Sequence, residues 1–318
     1  MKKIDTTYAS NAFPRCHDPM HDAASKGTSE TMSQKILVTG ATGTIGTHVV
    51  AELAERGAAV RAASRGAAKA TLPAGVEPAE LDFADTASID RAVQGVSAAF
   101  LLTPLAADQV ELGSRFIDRA KAAGVKRIVK LSAIGSEIEP GIQLGRWHRA
   151  IERHLEASGI EHTFLRPNNF MQNFVGYYPP DAEGVMYLPW GDGACSFIDG
   201  RDIGRVAAVA LTSAGHAGKA YTLTGPAAFT IGEAAAVLSS VSGRNISYVD
   251  VPESAARSTM LGLGMPAWMV DAMLELHAID KAGYAAVVTD DVAKITGTPA
   301  RSFADFAKEH AASWQKKV

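Results

Sequence analysis

From residue 35 onward, short runs of mostly apolar residues alternate with stretches in which apolar positions return every three or four residues. The runs at 35–39, 58–63, 77–81, 98–102, 127–131 and 162–165 are too short for helices, which predicts strands buried in a sheet. Between them, 44–56, 87–94, 107–124 and 144–158 each carry one apolar stripe, as Ile45, Val49, Val50 and Leu53 do in the first, which predicts amphipathic helices. Strands alternating with helices predict an α/β fold, a doubly wound parallel sheet with helices on both faces. Ligands of such sheets lie beyond the C-terminal strand ends. The residues to follow are therefore Gly40, Asp82 and Phe83, Thr103 and Pro104, Ser132, and Arg166, Pro167 and Asn168.

Beyond Pro167 the alternation loosens. A strand is expected near 194–198, a helix over 202–211, a strand at 221–223, a helix over 231–240, a strand at 246–251 and helices over 253–263, 266–282 and 303–313. Large apolar groups (Phe170, Phe174, Tyr177, Tyr178, Trp190) concentrate at the start of this half, which predicts a smaller mixed α/β C-terminal lobe with a mostly apolar pocket wall. The expected organisation is a leader over 1–34, a dinucleotide-binding domain over 35–170 to which later segments return, and a substrate lobe over 171–318. The leader is polar, mixed in charge and without periodicity, and is expected to be disordered. Met32 stands just ahead of the first strand, so translation from either Met1 or Met32 fits the pattern.

The first strand runs into Gly40-Ala41-Thr42-Gly43-Thr44-Ile45-Gly46, a glycine turn feeding a helix. Gly40 permits the tight turn, Gly43 lets backbone N–H groups approach a pyrophosphate, and Gly46 lets the helix pack closely on the strand. The positive end of the helix then faces the phosphates, with Thr42, Thr44 and Ile45 lining the same turn. This strand–turn–helix context points to a Rossmann-type dinucleotide site. The next strand ends Ala62-Ala63-Ser64-Arg65, without the acidic residue that accepts from the ribose 2′-hydroxyl of NAD. Arg65 and Lys69 make that end positive, which favours the 2′-phosphate of NADPH. Asp82 either accepts from the adenine amino group or caps the turn that follows it. Phe83, Thr103 and Pro104 are expected to line the cofactor trough.

Composition narrows the partners. A formal net charge of -3 gives no reason to expect nucleic acid, and no apolar run reaches the roughly 20 residues that cross a bilayer. Two cysteines make no disulfide framework, which fits a reducing cytoplasm. Residues 4–10 lack the apolar core of a signal peptide. Cys195 reads as an apolar filler, and Cys16, His17 and His21 lack a fourth ligand, so no metal is expected.

Taken together, the glycine turn, Ser64-Arg65, the stretch Leu165-Arg166-Pro167-Asn168-Asn169-Phe170-Met171-Gln172-Asn173 and the turn Asp199-Gly200-Arg201-Asp202-Ile203 resemble the NmrA-like branch of the atypical short-chain dehydrogenases/reductases. The resemblance spans about residues 35–314 and implies a cofactor site for NADP(H). The resemblance extends to characterised members that are type-2 NAD(P)H quinone reductases and triphenylmethane dye reductases, while other members are NADP-binding redox sensors with little catalysis. Ordinary short-chain reductases carry Tyr-x-x-x-Lys on the helix after the fifth strand, where Tyr protonates the reduced carbonyl. Here Leu144 stands at the Tyr position and His148 at the Lys position, with Glu152 and Leu155 continuing the family pattern.

Without that acid, a ketone loses its proton donor, whereas a quinone or cationic dye spreads or cancels the incoming charge. The expected reaction is hydride transfer from NADPH to a flat, conjugated, electron-poor small molecule held in a dry cleft. His148 is the candidate for proton exchange near neutrality or for bonding the ribose, with a surface pairing to Glu152 as the plain alternative. Ser132 is expected either to donate to the acceptor oxygen or to cap its turn. Pro167 should pack on the nicotinamide, Asn168 or Asn169 bond its carboxamide or shape the bend, and Arg166 be structural. Members of the family occur as monomers and dimers, so a homodimer stays open.

Overall fold

The computed structural model describes residues 35–315; the expected leader and its Cys16, His17 and His21 lie outside them. In chain order the elements are β1 (Ile36–Thr39), α1 (Gly46–Glu55), β2 (Val60–Ser64), β3 (Glu77–Glu80), α2 (Thr86–Val93), β4 (Ala98–Leu101), α3 (Gln109–Ala122), β5 (Arg127–Leu131), α4 (Gln143–Ser158) and β6 (Glu161–Pro167). They continue with α5 (Asn173–Gly176), β7 (Val185–Leu188), α6 (Gly200–Thr212), β8 (Lys219–Leu223), α7 (Ile231–Ser242), β9 (Ser247–Asp250), α8 (Glu253–Gly262), α9 (Ala267–Lys281), α10 (Asp291–Thr296) and α11 (Phe303–Glu309).

Seven strands form one sheet in the order β3-β2-β1-β4-β5-β6-β8, every pair parallel. The order reverses between β1 and β4, and a crevice beyond their C-terminal ends is where such sheets take ligands. Alternate strand residues feed cores on opposite faces: Val38, Phe100 and Val129 join α1 and α6, while Leu37, Leu101 and Ile128 join α2, α3 and α4. Close helix packing on the first face rests on small residues. A Cβ on Gly204 of α6 would sit 2.9 Å from the His48 backbone of α1, so only glycine admits this approach.

A third core gathers Met171, Phe174, Trp190, Phe197, Phe303, Phe306 and Trp314 beside a two-stranded parallel sheet of β7 and β9. Aromatic pairs bind it, Phe174 with Phe197 at 5.0 Å and Phe229 with Phe303 at 4.7 Å between ring centroids. The expected strand at 194–198 is not one: it makes only isolated bridges, Phe170 with Ile198 and Cys195 with Phe229. The reason is divided pairing. Cys195 N–H donates to Phe229, Ser196 N–H to Ala285 and Ile198 N–H to Asn169, so three segments share what one neighbouring strand would take. β7 and α10 have no counterpart in the expected pattern, and the strand expected at 221–223 lies on the edge of the large sheet, beside β6.

Candidate active site

The turn after β1 holds the geometry its glycines suggest. Gly40 has φ +62°, a left-handed conformation that lets the chain reverse beneath the end of β4. Thr39, fully buried, locks that reversal: its hydroxyl donates to the Leu102 carbonyl at 3.0 Å and accepts from the Leu102 N–H at 2.8 Å. A Cβ on Gly46 would collide with the Gly40 carbonyl oxygen and stand 2.7 Å from its carbon, so α1 can begin here only on glycine.

Thr42, Gly43 and Thr44 are exposed, the N–H groups of Thr42, Thr44 and Ile45 meet no acceptor within the described residues, and α1 starts without a side-chain cap. Unsatisfied donors converging at an uncapped helix start fit a pyrophosphate. Ile45 offers only its backbone, because its side chain is in the core.

At the end of β2, Ser64 accepts from the Thr42 hydroxyl at 3.1 Å, tying the phosphate turn to the ribose end. Arg65 and Lys69 are both exposed, with no carboxylate paired to either among the described ion pairs. Asp82 accepts from the Ala84 N–H at 2.9 Å, so one oxygen fixes the turn, while Asp85 caps α2. Phe83 is buried against Phe116 at 5.6 Å, which leaves only its backbone to face an adenine. Thr103 and Pro104, half-buried, follow β4; the Thr103 methyl would meet a Cβ on Gly113 of α3 at 3.0 Å.

Between β5 and α4 lies a buried polar cluster. Glu152 is sealed from solvent and accepts from the Ser132 hydroxyl at 2.7 Å, from Arg166 at 3.0 and 2.8 Å and from Arg149 at 3.0 Å. Burial alone would raise its carboxyl; the Arg166 and Ser132 hydrogen bonds outweigh that and hold it below the usual carboxylate range. Lys130, fully buried on β5, donates to the Leu131 carbonyl at 3.1 Å and lies 2.9 Å from His148 Nδ1. Burial pushes the lysine down to about 7 despite the Glu152 charge, and burial with the neighbouring lysine pushes His148 well below its ordinary value.

The sequence matches the NmrA-like family over residues 32–295. The chain belongs to the NmrA-like family. It is 44% identical over 282 residues to the NAD(P)H azoreductase of Xenophilus azovorans, covering 88% of this chain and 99% of that one. Among solved structures it resembles the NADPH-dependent quinone oxidoreductase of Escherichia coli complexed with NADPH, with a TM-score of 0.77, 29% identity and coverage of 86% and 99%. It likewise resembles the triphenylmethane reductase of Citrobacter sp. complexed with NADP(H), with a TM-score of 0.75, 27% identity and coverage of 87% and 99%.

Several side chains of this NmrA-like protein sit otherwise than expected. His148 pairs with Lys130 and not with Glu152, because Glu152 is saturated by two arginines and a serine; its lowered proton affinity also removes the expected titration near neutrality. Ser132 is buried and its proton is committed to Glu152, so it holds the cluster together instead of presenting a free donor. The Asn168 amide donates to Ser196 at 2.9 Å and to the Ala285 carbonyl at 2.8 Å, and its oxygen accepts from the Asn169 N–H; the side chain shapes the bend and has no donor left for a carboxamide. Pro167 is buried at the end of β6, its carbonyl accepting from Ile134. Arg166 bridges Glu152 and Glu137.

Cys195 is buried, its thiol pushed up by burial, which suits a filler. Sequence reasoning misses Lys130 and Thr39. A lysine within a predicted buried strand, Ile128-Val129-Lys130-Leu131, is the available signal for the first. Among the described residues no tyrosine hydroxyl bonds to Ser132, Lys130 or His148: Tyr221 pairs with His216, and Tyr248 with Leu188 and Asp250. No cluster of metal-ligating side chains occurs among them, and no described helix is long and apolar enough to cross a membrane.

Proposed function

We propose that this protein is an NADPH-dependent reductase of flat, conjugated, electron-poor acceptors: quinones, azo dyes and triphenylmethane dyes. The observation that carries the reading is the pairing of an open phosphate cradle at residues 40–46 with a polar cluster that lacks a tyrosine. NADPH supplies a hydride when bound. The chain's part is to hold the pyrophosphate on the N–H groups of Thr42, Thr44 and Ile45, and the 2′-phosphate on Arg65 and Lys69. Thr103, Pro104 and Pro167 form the trough walls, with the Asp82–Phe83 turn at the adenine end. Lys130 and Glu152 are sealed from solvent, whereas His148 is half-buried and keeps an edge for the acceptor. The names of the relatives support the acceptor class, and cysteine use supports a cytoplasmic setting.

The test is an NADPH oxidation screen across menadione, an azo dye, a triphenylmethane dye and simple ketones, with NADH as cofactor control. Turnover of the conjugated acceptors, with ketones inert, is expected. Tight NADP(H) binding without turnover of any acceptor would replace this reading with that of a redox sensor.

A further inference from the structure

We propose that Lys130 is a positioning residue and proton reserve for His148: its ammonium fixes the imidazole with the proton on Nε2, and supplies a proton to Nδ1 as His148 gives the Nε2 proton to the reduced acceptor. The inference rests on the reductase reading above. An ammonium has three donors and no acceptor, so at 2.9 Å from His148 Nδ1 it must donate and Nδ1 must accept. A neutral imidazole that accepts at Nδ1 carries its proton on Nε2. That Nε2 has no protein partner among the described residues, yet it is not sealed from solvent, so it stays open to a ligand while Lys130 is fully buried beneath it.

Two charged side chains act on the pair, Glu152 and Arg166, and two more are ion-paired to those. From α4 come Glu152 and Arg149, from β6 Arg166, and from the loop after β5 Glu137, which pairs with Arg166. Glu152 is the anion that keeps an ammonium tolerable at Lys130, and Arg166 opposes it. The lysine's proton affinity, lowered to about 7 by burial, makes it a ready donor at neutral pH.

An azo acceptor draws on both members of the pair. Hydride supplied by NADPH reaches one nitrogen and leaves the other anionic; the His148 Nε2 proton forms the second N–H bond; Nδ1 takes a proton from Lys130. The products are NADP⁺, a hydrazine, a neutral Lys130 and an imidazole protonated on Nδ1; water then protonates the open Nε2 and Nδ1 hands its proton back to the buried Lys130, which restores both groups. A cationic triphenylmethane dye needs none of this, because one hydride makes it neutral. The relay therefore separates two acceptors within one enzyme.

The experiment compares wild type with Lys130→Met, using methyl red and malachite green, alongside ¹⁵N NMR of His148 in the cofactor-free protein. In Lys130→Met, kcat for the azo dye is expected to fall about 10-fold or more, towards the range of a lost general acid, with malachite green reduced at about the wild-type rate. The wild-type azo rate should fall as pH rises through about 7, where Lys130 loses its proton, and this fall should vanish in the variant. The NMR should show wild-type His148 neutral at pH 6–7 with the proton on Nε2. Equal losses for both dyes, no change for either, or a proton on Nδ1 would overturn the proposal. If Lys130→Met does not fold, the wild-type NMR and a solvent isotope effect on the azo dye alone decide the matter. Failure of the reductase reading looks different: no acceptor is turned over, whatever tautomer His148 adopts.

Discussion

Gly43 and Gly46 stand three residues apart in one turn, and replacing each with alanine should have unequal effects on the protein without cofactor. A Cβ at Gly46 would overlap the Gly40 carbonyl oxygen and crowd Gly40 C and Ala41 Cα at 2.7 and 2.8 Å, all of them backbone atoms held by the Thr39–Leu102 lock. The turn must shift, and overpacking of this kind costs about 1–3 kcal/mol. At Gly43 the new Cβ meets only Gly40 O, at 3.3 Å, a tight contact relieved by a shift of a few tenths of an ångström, on an exposed turn whose φ is not positive. There the gain of about 0.4–1 kcal/mol from restricting the unfolded chain is set against that contact, so stability should change little. Both substitutions put a methyl or a displaced backbone where a pyrophosphate would receive N–H groups. Losing one charge-assisted hydrogen bond, about 1.5–3 kcal/mol, weakens NADPH binding roughly 10- to 100-fold. Thermal unfolding without cofactor and titration calorimetry with NADPH read the two quantities separately. Gly46→Ala should lose several degrees of Tm and most of its affinity, and Gly43→Ala only affinity. Unchanged stability in Gly46→Ala, or full NADPH affinity in Gly43→Ala, would refute the assignment of this turn.

Replacing Arg65 and Lys69 together with Glu should cost roughly 100-fold or more in NADPH affinity while sparing NADH, since two charge-assisted contacts to the 2′-phosphate are lost; equal losses for both cofactors would remove the pair from the site. Glu152→Gln leaves Arg166 half-buried without its full counter-charge and should destabilise the fold by about 3–5 kcal/mol in urea melts at neutral pH. Because the Glu152 carboxyl is held below its unfolded value, this contribution is complete above the ordinary carboxylate range and disappears as pH falls through the folded value, so wild type and variant should converge in acid.

Asp280 is the reverse case, buried and raised from 3.8 to about 7, with Asn169 as its one side-chain donor among the described residues. The folded state then binds the extra proton, and stability falls as pH rises from about 4 to 7. Asp280→Asn should abolish that fall, leaving the variant more stable than wild type at pH 8 by a few kcal/mol at most, an order of magnitude set by about 1.4 kcal/mol per pH unit. Parallel urea melts at pH 5 and 8 test it.

What could be read in advance divides along a physical line. The inner strands of the large sheet and the helices that cover it follow from periodicity because each buries a continuous apolar run or stripe, and the glycine turn follows because backbone geometry admits only one residue type at Gly46. The segment 194–198 has strand composition, Cys195 to Ile198 all buried, yet its partners come from three distant places, which local pattern does not encode. The same holds for side-chain commitments. Ser132 and Asn168 stand at strand ends as expected, but whether their donors face a ligand depends on Glu152, Ser196 and the Ala285 carbonyl, 20, 28 and 117 residues away in sequence.

His148 and Leu144 stand at the spacing of Lys and Tyr in ordinary short-chain reductases, so a graft of Leu144→Tyr with His148→Lys restores the missing motif on one face of α4. In this protein the graft alone should give no ketone reductase. The introduced lysine would inherit the place of an imidazole that accepts from Lys130 at 2.9 Å, bringing two ammonium groups together in a buried cluster already holding Arg166. The two then share one proton between them near neutral pH, so the new lysine carries only part of the charge with which it would lower the tyrosine's proton affinity. Adding Lys130→Met removes the conflict and leaves Glu152 to balance Arg166 and the introduced lysine. Ketone reduction by the triple variant should exceed that of the double variant by about 10-fold or more, the lower end of what a positioned acid contributes. Ketone turnover by the double variant equal to that of the triple would mean that Lys130 does not govern the charge at position 148.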